Sequence, residues 1–103
     1  MNIIHGNEDN FNELINSGEV LVDFFATWCG PCRMLSPVLE ELSSDRLDVK
    51  IVKIDVDECP NIARMFGVMS IPTLILFKDG KEVAKENGFM PKEALVAWIN
   101  NNR

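Results

Sequence analysis

Two thiols separated by two residues, in Trp28-Cys29-Gly30-Pro31-Cys32, are the groups in this chain best suited to chemistry. No second C-x-x-C pair completes a four-cysteine zinc site. The pair follows directly on the apolar run Val20-Leu21-Val22-Asp23-Phe24-Phe25-Ala26, which places it where a strand hands over to a helix. Thiols at this spacing can close into a small ring, and so hold or release two electrons. Redox chemistry is therefore the first expectation.

The elements that must position the pair are legible in the hydrophobic pattern. From Cys32, the residues Leu35, Leu39 and Leu42 recur at i+3, i+7 and i+10, the buried stripe of a helix that Pro37 is expected to kink. Cys32 shares that stripe and is expected to be mostly buried, whereas Cys29, just before the helix, is expected to be the exposed thiol. Cys29 also meets the unpaired N–H groups and positive dipole end of the first turn, which favour a thiolate near neutral pH. Pro31 fits in that turn because its missing N–H is not needed there.

The run from Val20 to Ala26 is apolar on both alternating faces, as a strand covered on both sides would be, and Asp23 interrupts it. Ile3-Ile4 predict a brief first strand. Phe11, Leu14 and Ile15 then mark a helix that stops at Ser17-Gly18. Val49 to Val56 reads as a strand, Pro60 to Phe66 as a short helix with Gly67 behind it, and Pro72 to Phe77 as a third apolar strand. Asp79-Gly80 joins that strand to Lys81-Glu82-Val83-Ala84-Lys85 as an antiparallel hairpin. Pro91 opens a last helix with Leu95, Trp98 and Ile99 on its core face. Cys59, before Pro60, is expected to cap the short helix. No linker or repeat interrupts the pattern, so residues 1–103 read as one α/β domain.

Composition excludes several classes. The 103 residues are 47% hydrophobic and 25% charged, the balance of an ordinary soluble domain. A net charge of −6 and no basic stripe argue against nucleic acid, whose phosphates demand one. No apolar run approaches the ~20 residues of a membrane span, and Met1 to Asn7 lacks both a basic leader and an apolar core. A reducing, cytoplasmic compartment is the expectation. Three cysteines make an odd number, which disfavours a structural disulfide framework.

The residues resemble the thioredoxin family, and over nearly the whole chain. Asp23-Phe24-Phe25-Ala26-Thr27-Trp28-Cys29-Gly30-Pro31-Cys32, then Lys53 with Asp55-Val56-Asp57, Gly67-Val68, Ile71-Pro72-Thr73, Phe77-Lys78-Asp79-Gly80 and Gly88 stand in that family's order and spacing. The resemblance implies the thioredoxin fold, a central mixed sheet of about five strands flanked by about four helices, acting as a monomer. It also implies a general protein-disulfide reductase with no bound cofactor beyond a redox-active disulfide. Its partners would be disulfide-containing client proteins and a flavoprotein thioredoxin reductase that draws on NADPH.

Carried onto this chain, the family's assignments make Cys29 the nucleophile and Cys32 the resolving thiol. Asp23 becomes the proton acceptor for Cys32, because a carboxylate in an apolar strand is costly to ionise and its pKa rises toward the useful range. Lys53 resembles the family's partner to that carboxylate. Trp28, Gly30, Pro31, Ile71, Pro72 and Gly88 resemble the docking surface, with Pro72 as its cis proline.

The chain departs from the commoner pattern at Phe25, Arg33, Met69 and Phe89, and the last two are expected to make the docking surface more apolar. Two other classes of function compete with the reductase. A metal module would draw Cys29, Cys32, Cys59 and His5 into one site, although their spacing suits it poorly and His5 reads as solvent-facing. A non-catalytic interaction subunit would use the same fold without turnover.

Overall fold

A computed structural model describes residues 3–46 and 48–103; Met1 and Asn2, the start of the Met1-to-Asn7 stretch read for a leader, lie outside the described residues. The elements run β1 (Ile3–His5), α1 (Phe11–Ile15), β2 (Glu19–Phe25), α2 (Gly30–Asp45), β3 (Val49–Asp55), α3 (Pro60–Met65), β4 (Thr73–Lys78), β5 (Lys81–Asn87) and α4 (Lys92–Asn102). They form one five-stranded sheet in the order β1-β3-β2-β4-β5. β3 is parallel to β1 and β2, whereas β4 is antiparallel to β2 and β5. The mixed sheet with four helices is the expected thioredoxin fold.

β2 lies at the centre, paired on both edges, and its alternation decides what each face buries. Val20, Val22 and Phe24 pack with Phe11 and Ile15 of α1 and Ile62 of α3. Leu21 packs on the opposite face with Leu35, Leu39 and Leu42 of α2 and Leu95 and Ile99 of α4. The α2 stripe read from the sequence is thus the helix's buried face. Asp23, two residues along from Leu21, points to that same side of the sheet.

Two turns shape the β4–β5 side of the fold, the first at the start of β2 and the second next to the segment that walls the site. Asp79 and Gly80, at φ +50° and +86°, make the two-residue hairpin loop between β4 and β5, where positive φ at both positions matches the strand twist. α3 ends on Gly67 at φ +65°, with the Gly67 N–H donating to the Arg64 carbonyl and the Val68 N–H to the Ala63 carbonyl. This double closure lets the chain leave the helix sharply. Lys85 of β5 donates to the carbonyls of Phe66 and Gly67 and holds the same corner. The segment Val68–Ile71 that follows forms one wall of the site described below.

Two local expectations, at Pro91 and Cys59, are refined. Pro91 stands at the N-cap of α4, with ψ 161°, rather than inside the first turn. α2 continues through Pro37 to Asp45; Arg33 and Pro37 are both exposed, so the carbonyl that lacks a proline N–H faces the solvent side. Cys59 occupies the N-cap position of α3, but its buried side chain makes no capping bond.

Gly67→Ala should destabilise the fold by about 1 kcal/mol, because a β-carbon is disfavoured at a left-handed φ. The added carbon would meet the flexible Lys85 Nζ at 3.4 Å, so backbone strain and not collision sets the loss. Chemical denaturation should show a lower midpoint with an unchanged slope.

Candidate active site

The handover from β2 to α2 creates the site. Cys29 is the N-cap of α2, held in an extended conformation at φ −91° and ψ 116°, with Pro31 in the first turn. Its sulfur accepts a hydrogen bond from the Cys32 N–H at 3.2 Å, taking the place of the hydroxyl or carboxylate that usually closes a helix start. Cys29 and Cys32 form a disulfide with their Cα atoms 5.2 Å apart. Negative charge developing on the Cys29 sulfur would thus meet both a donor N–H and the positive end of a 16-residue helix.

Burial does not separate the two cysteines as the helical stripe predicts. Cys32 is 2% exposed, as expected, but Cys29 is also buried, at 5%. The reason is long-range: Phe25, Val56 and Ile71 pack against the small cluster of Ala26, Cys29 and Cys32. The Cys29 sulfur lies 3.8 Å from the Ile71 carbonyl oxygen.

Ile71-Pro72 is a cis peptide, at the position expected. Pro72 is buried, and its carbonyl accepts the Gly88 N–H at 2.8 Å, which draws Gly88, at φ +92°, to the same edge. Thr73 anchors this edge by donating to the Ser70 carbonyl and meeting the Asn87 side chain. Trp28 is 67% exposed, yet its indole is fixed by an Nε1–H bond to Asp57 Oδ2 at 2.8 Å. A cleft of about 170 Å³ opens between Trp28, Val56 and the Val68–Ile71 segment, and Met69 on its rim is 94% exposed. Phe89 is also exposed. Gly30 is half-buried and Pro31 exposed.

On β2, on the side of the sheet that Leu21 shares with α2, lies an unusual carboxylate. Asp23 is fully buried, and neither of its oxygens accepts a hydrogen bond among the described residues. β2–β3 register sets Lys53 beside it, with Nζ 3.9 Å from Oδ2. Burial pushes the Asp23 carboxyl up to about 7, and the Lys53 ammonium offsets only part of that rise. Lys53 gives its short hydrogen bond elsewhere, to Ser36 Oγ at 2.8 Å, and stands 4.7 Å over the Phe25 ring.

Sequence reasoning missed Asp57 and Ser36 as supporting residues. Asp57 stood inside a quoted motif, but its partner lies 29 residues away. Ser36 sits one helical turn after Cys32, and that spacing was the available signal.

The competing metal reading does not survive the geometry. Cys59 packs under α3 in the cluster of Phe11 and Ile15, apart from the disulfide. His5 is exposed and stacks edge-on to Phe25. Among the described residues, no three His, Cys, Asp or Glu side chains are grouped to hold an ion. Nor, among them, is any helix long and apolar enough to cross a membrane.

The thioredoxin family model matches residues 2–101. The chain is similar to the thioredoxin of Staphylococcus haemolyticus, 60% identical with 99% of each chain covered. It is likewise similar to the thioredoxin of Chlamydia muridarum, 56% identical over 93% of this chain and 94% of that protein. The thioredoxin of Staphylococcus aureus is 54% identical, again over 99% of each.

The raised Asp23 carboxyl has a stability consequence. Between the unfolded value of 3.8 and the folded value of about 7, the folded protein holds a proton that the unfolded chain has lost, so stability falls as pH rises through that window. Asp23→Asn removes the dependence. The oxidised variant should exceed the parent by about 4 kcal/mol above pH 8, with the gap closing toward pH 4. Denaturant unfolding of both proteins across that range checks the sign and the window.

Proposed function

The chain belongs to the thioredoxin family, and on that premise we propose that it is a general protein-disulfide reductase, passing two electrons from the Cys29-Cys32 dithiol to disulfides in client proteins. The family are disulfide oxidoreductases, and the redox group is the cysteine pair itself, so no further cofactor is required. The observation that carries the reading is the Cys29 sulfur, capping α2 beside the carbonyl of Ile71, a residue that also lines an open cleft.

The mechanism follows from that placement. In the reduced protein, the Cys29 thiolate is favoured by the Cys32 N–H and the helix dipole. It attacks one sulfur of the client disulfide; a sulfur–sulfur bond forms, the client's own bond breaks, and one client thiolate leaves and takes a proton. Asp23 accepts the proton of Cys32, directly or through water. The Cys32 thiolate then attacks the Cys29 sulfur, closing the Cys29-Cys32 disulfide and expelling the second client thiolate, which takes up the proton that Asp23 received from Cys32. Two electrons and two protons have passed to the client. Lys53 limits the desolvation of Asp23 while the carboxylate is charged.

Recognition is mostly backbone and apolar. The half-buried Ile71, at an edge held by the Pro72–Gly88 bond, offers polar backbone to an extended client strand, and Trp28, Gly30 and Pro31 flank it. A flavoprotein thioredoxin reductase drawing on NADPH restores the dithiol. The protein is read as one domain over residues 1–103, a cytoplasmic monomer that donates electrons to enzymes there. An interaction subunit without turnover would bind clients but leave their disulfides intact.

Reduction of insulin disulfides in the presence of NADPH and a thioredoxin reductase is the direct test, and its absence would refute the reading. Cys29→Ser should abolish turnover. Cys32→Ser should instead accumulate a mixed disulfide with clients, visible on non-reducing gels; trapping by Cys29→Ser alone would reverse the two roles.

The exposed wall of the cleft gives a second expectation. Trp28→Ala or Met69→Ser should weaken reduction of protein disulfides several-fold, seen as a higher KM, while reduction of a small aromatic disulfide changes little.

A further inference from the structure

We propose that Ser36 is a positioning residue for this reaction: its hydroxyl holds the Lys53 ammonium against α2, so that Lys53 neutralises Asp23 only in part. The proposal rests on the reading of Asp23 as proton acceptor and adds a residue to it.

The distances divide the ammonium's allegiance unequally. Lys53 Nζ is 2.8 Å from Ser36 Oγ but 3.9 Å from Asp23 Oδ2, inside hydrogen-bond range of the first and outside that of the second. Ser36 Oγ in turn donates to the Cys32 carbonyl at 3.4 Å, which ties the arrangement to the helical turn that carries the resolving cysteine. Asp23, meanwhile, has two buried oxygens without a donor among the described residues. A lysine free to choose would satisfy that carboxylate, since Coulomb attraction grows as the separation closes and the surroundings are poorly solvated. Ser36 competes for the same protons.

Two openings meet at this point. One, of about 170 Å³, is lined by Ile3, His5, Glu40, Ser36 and Lys53; the other, of about 240 Å³, is lined by Ser36 and Lys53 together with Cys32 and Arg33. Ser36 and Lys53 therefore line both openings, while Asp23 beside Lys53 is fully buried. The charged or titratable groups facing the pair are His5 from β1, Asp23 from β2, and Arg33, Glu40 and Cys32 from α2. β4 presents Leu74 opposite Asp23 and adds no charge.

Removing the hydroxyl leaves the ammonium to close on Asp23, which lowers the carboxyl's affinity for its proton and makes it a weaker base for Cys32. Ser36→Ala suits a helix at least as well as serine, so the fold should be retained. Ser36→Thr keeps the hydroxyl and provides the rescue.

The test is the Asp23 carboxyl titration, followed by carboxyl ¹³C NMR in the parent, Ser36→Ala and Ser36→Thr. It is paired with the pH profile of client release from a preformed Cys29 mixed disulfide in single-turnover experiments. Ser36→Ala should lower the Asp23 midpoint by half a pH unit or more and slow release at neutral pH at least threefold, and Ser36→Thr should restore both. An Asp23 midpoint that is unchanged or raised in Ser36→Ala, or a failure of Ser36→Thr to restore it, overturns the proposal. Asp23→Asn separates this from the underlying reading. If that variant resolves the mixed disulfide as fast as the parent, Asp23 is not the proton acceptor, whereas the midpoint shift still reports whether Ser36 governs Lys53.

Discussion

The hydrogen bond from the Cys32 N–H to the Cys29 sulfur is the contact on which the site depends. A helix start must satisfy its first N–H groups, and most chains do so with an oxygen. Here sulfur fills that place, so the element that ends β2 and begins α2 is also the redox group. The arrangement holds because both ends are anchored: β2 is central and paired on each edge, and α2 buries Leu35, Leu39 and Leu42. Burial of each such side chain contributes roughly 1.5–3 kcal/mol. Against that, one weak sulfur acceptor at the N-cap is a small concession, and the protein can change its oxidation state without surrendering the helix.

The same central strand carries the structure's least comfortable group. A hydrophobic residue at position 23 would complete the apolar face begun by Leu21, and the sheet would be more stable with one. Asp23 instead sits fully buried, its carboxyl held near neutrality by desolvation, with Lys53 too distant to pair fully. In the proposed mechanism this discomfort is the useful property. A well-paired carboxylate would be too weak a base to take a thiol proton, and a wholly unpaired one would stay protonated across the physiological range. Stability is given up at the strand that matters most to the fold, which is where such a concession finds the most surrounding structure to absorb it.

What was legible in the sequence was what is local or periodic. The α2 stripe, the Asp79-Gly80 hairpin and the odd carboxylate among apolar neighbours are each patterns within a few residues, and each stands in the structure as read. Pro91 at a cap position lay within the ordinary uncertainty of helix ends. The failures are contacts between distant segments. Cys29 was expected to be exposed because its own element leaves it so; Ile71, 42 residues on, is what covers it. The Lys53–Ser36 bond joins residues 17 apart on different elements, and neither reveals the other. The mixed five-stranded sheet and the cis Ile71-Pro72 bond were reached through family resemblance, because no periodicity encodes them; the strand order comes from the structure alone.

The wall of the cleft shows a further division of labour. Trp28 and Met69 are both large, apolar and exposed, yet they are held differently. The indole is fixed by Asp57, which is itself ordered by an Asp55 side chain accepting the Asp57 N–H at 2.9 Å. Met69 has no such tether among the described residues and stands 94% exposed on a segment whose entry is set by the Gly67 corner. A rigid ring beside a flexible thioether allows one face of the cleft to define an approach direction while the other adapts to the side chain presented. For a protein proposed to serve many clients, that pairing is more useful than two rigid walls: the backbone edge and the indole orient the incoming disulfide, and the methionine tolerates variation in what surrounds it.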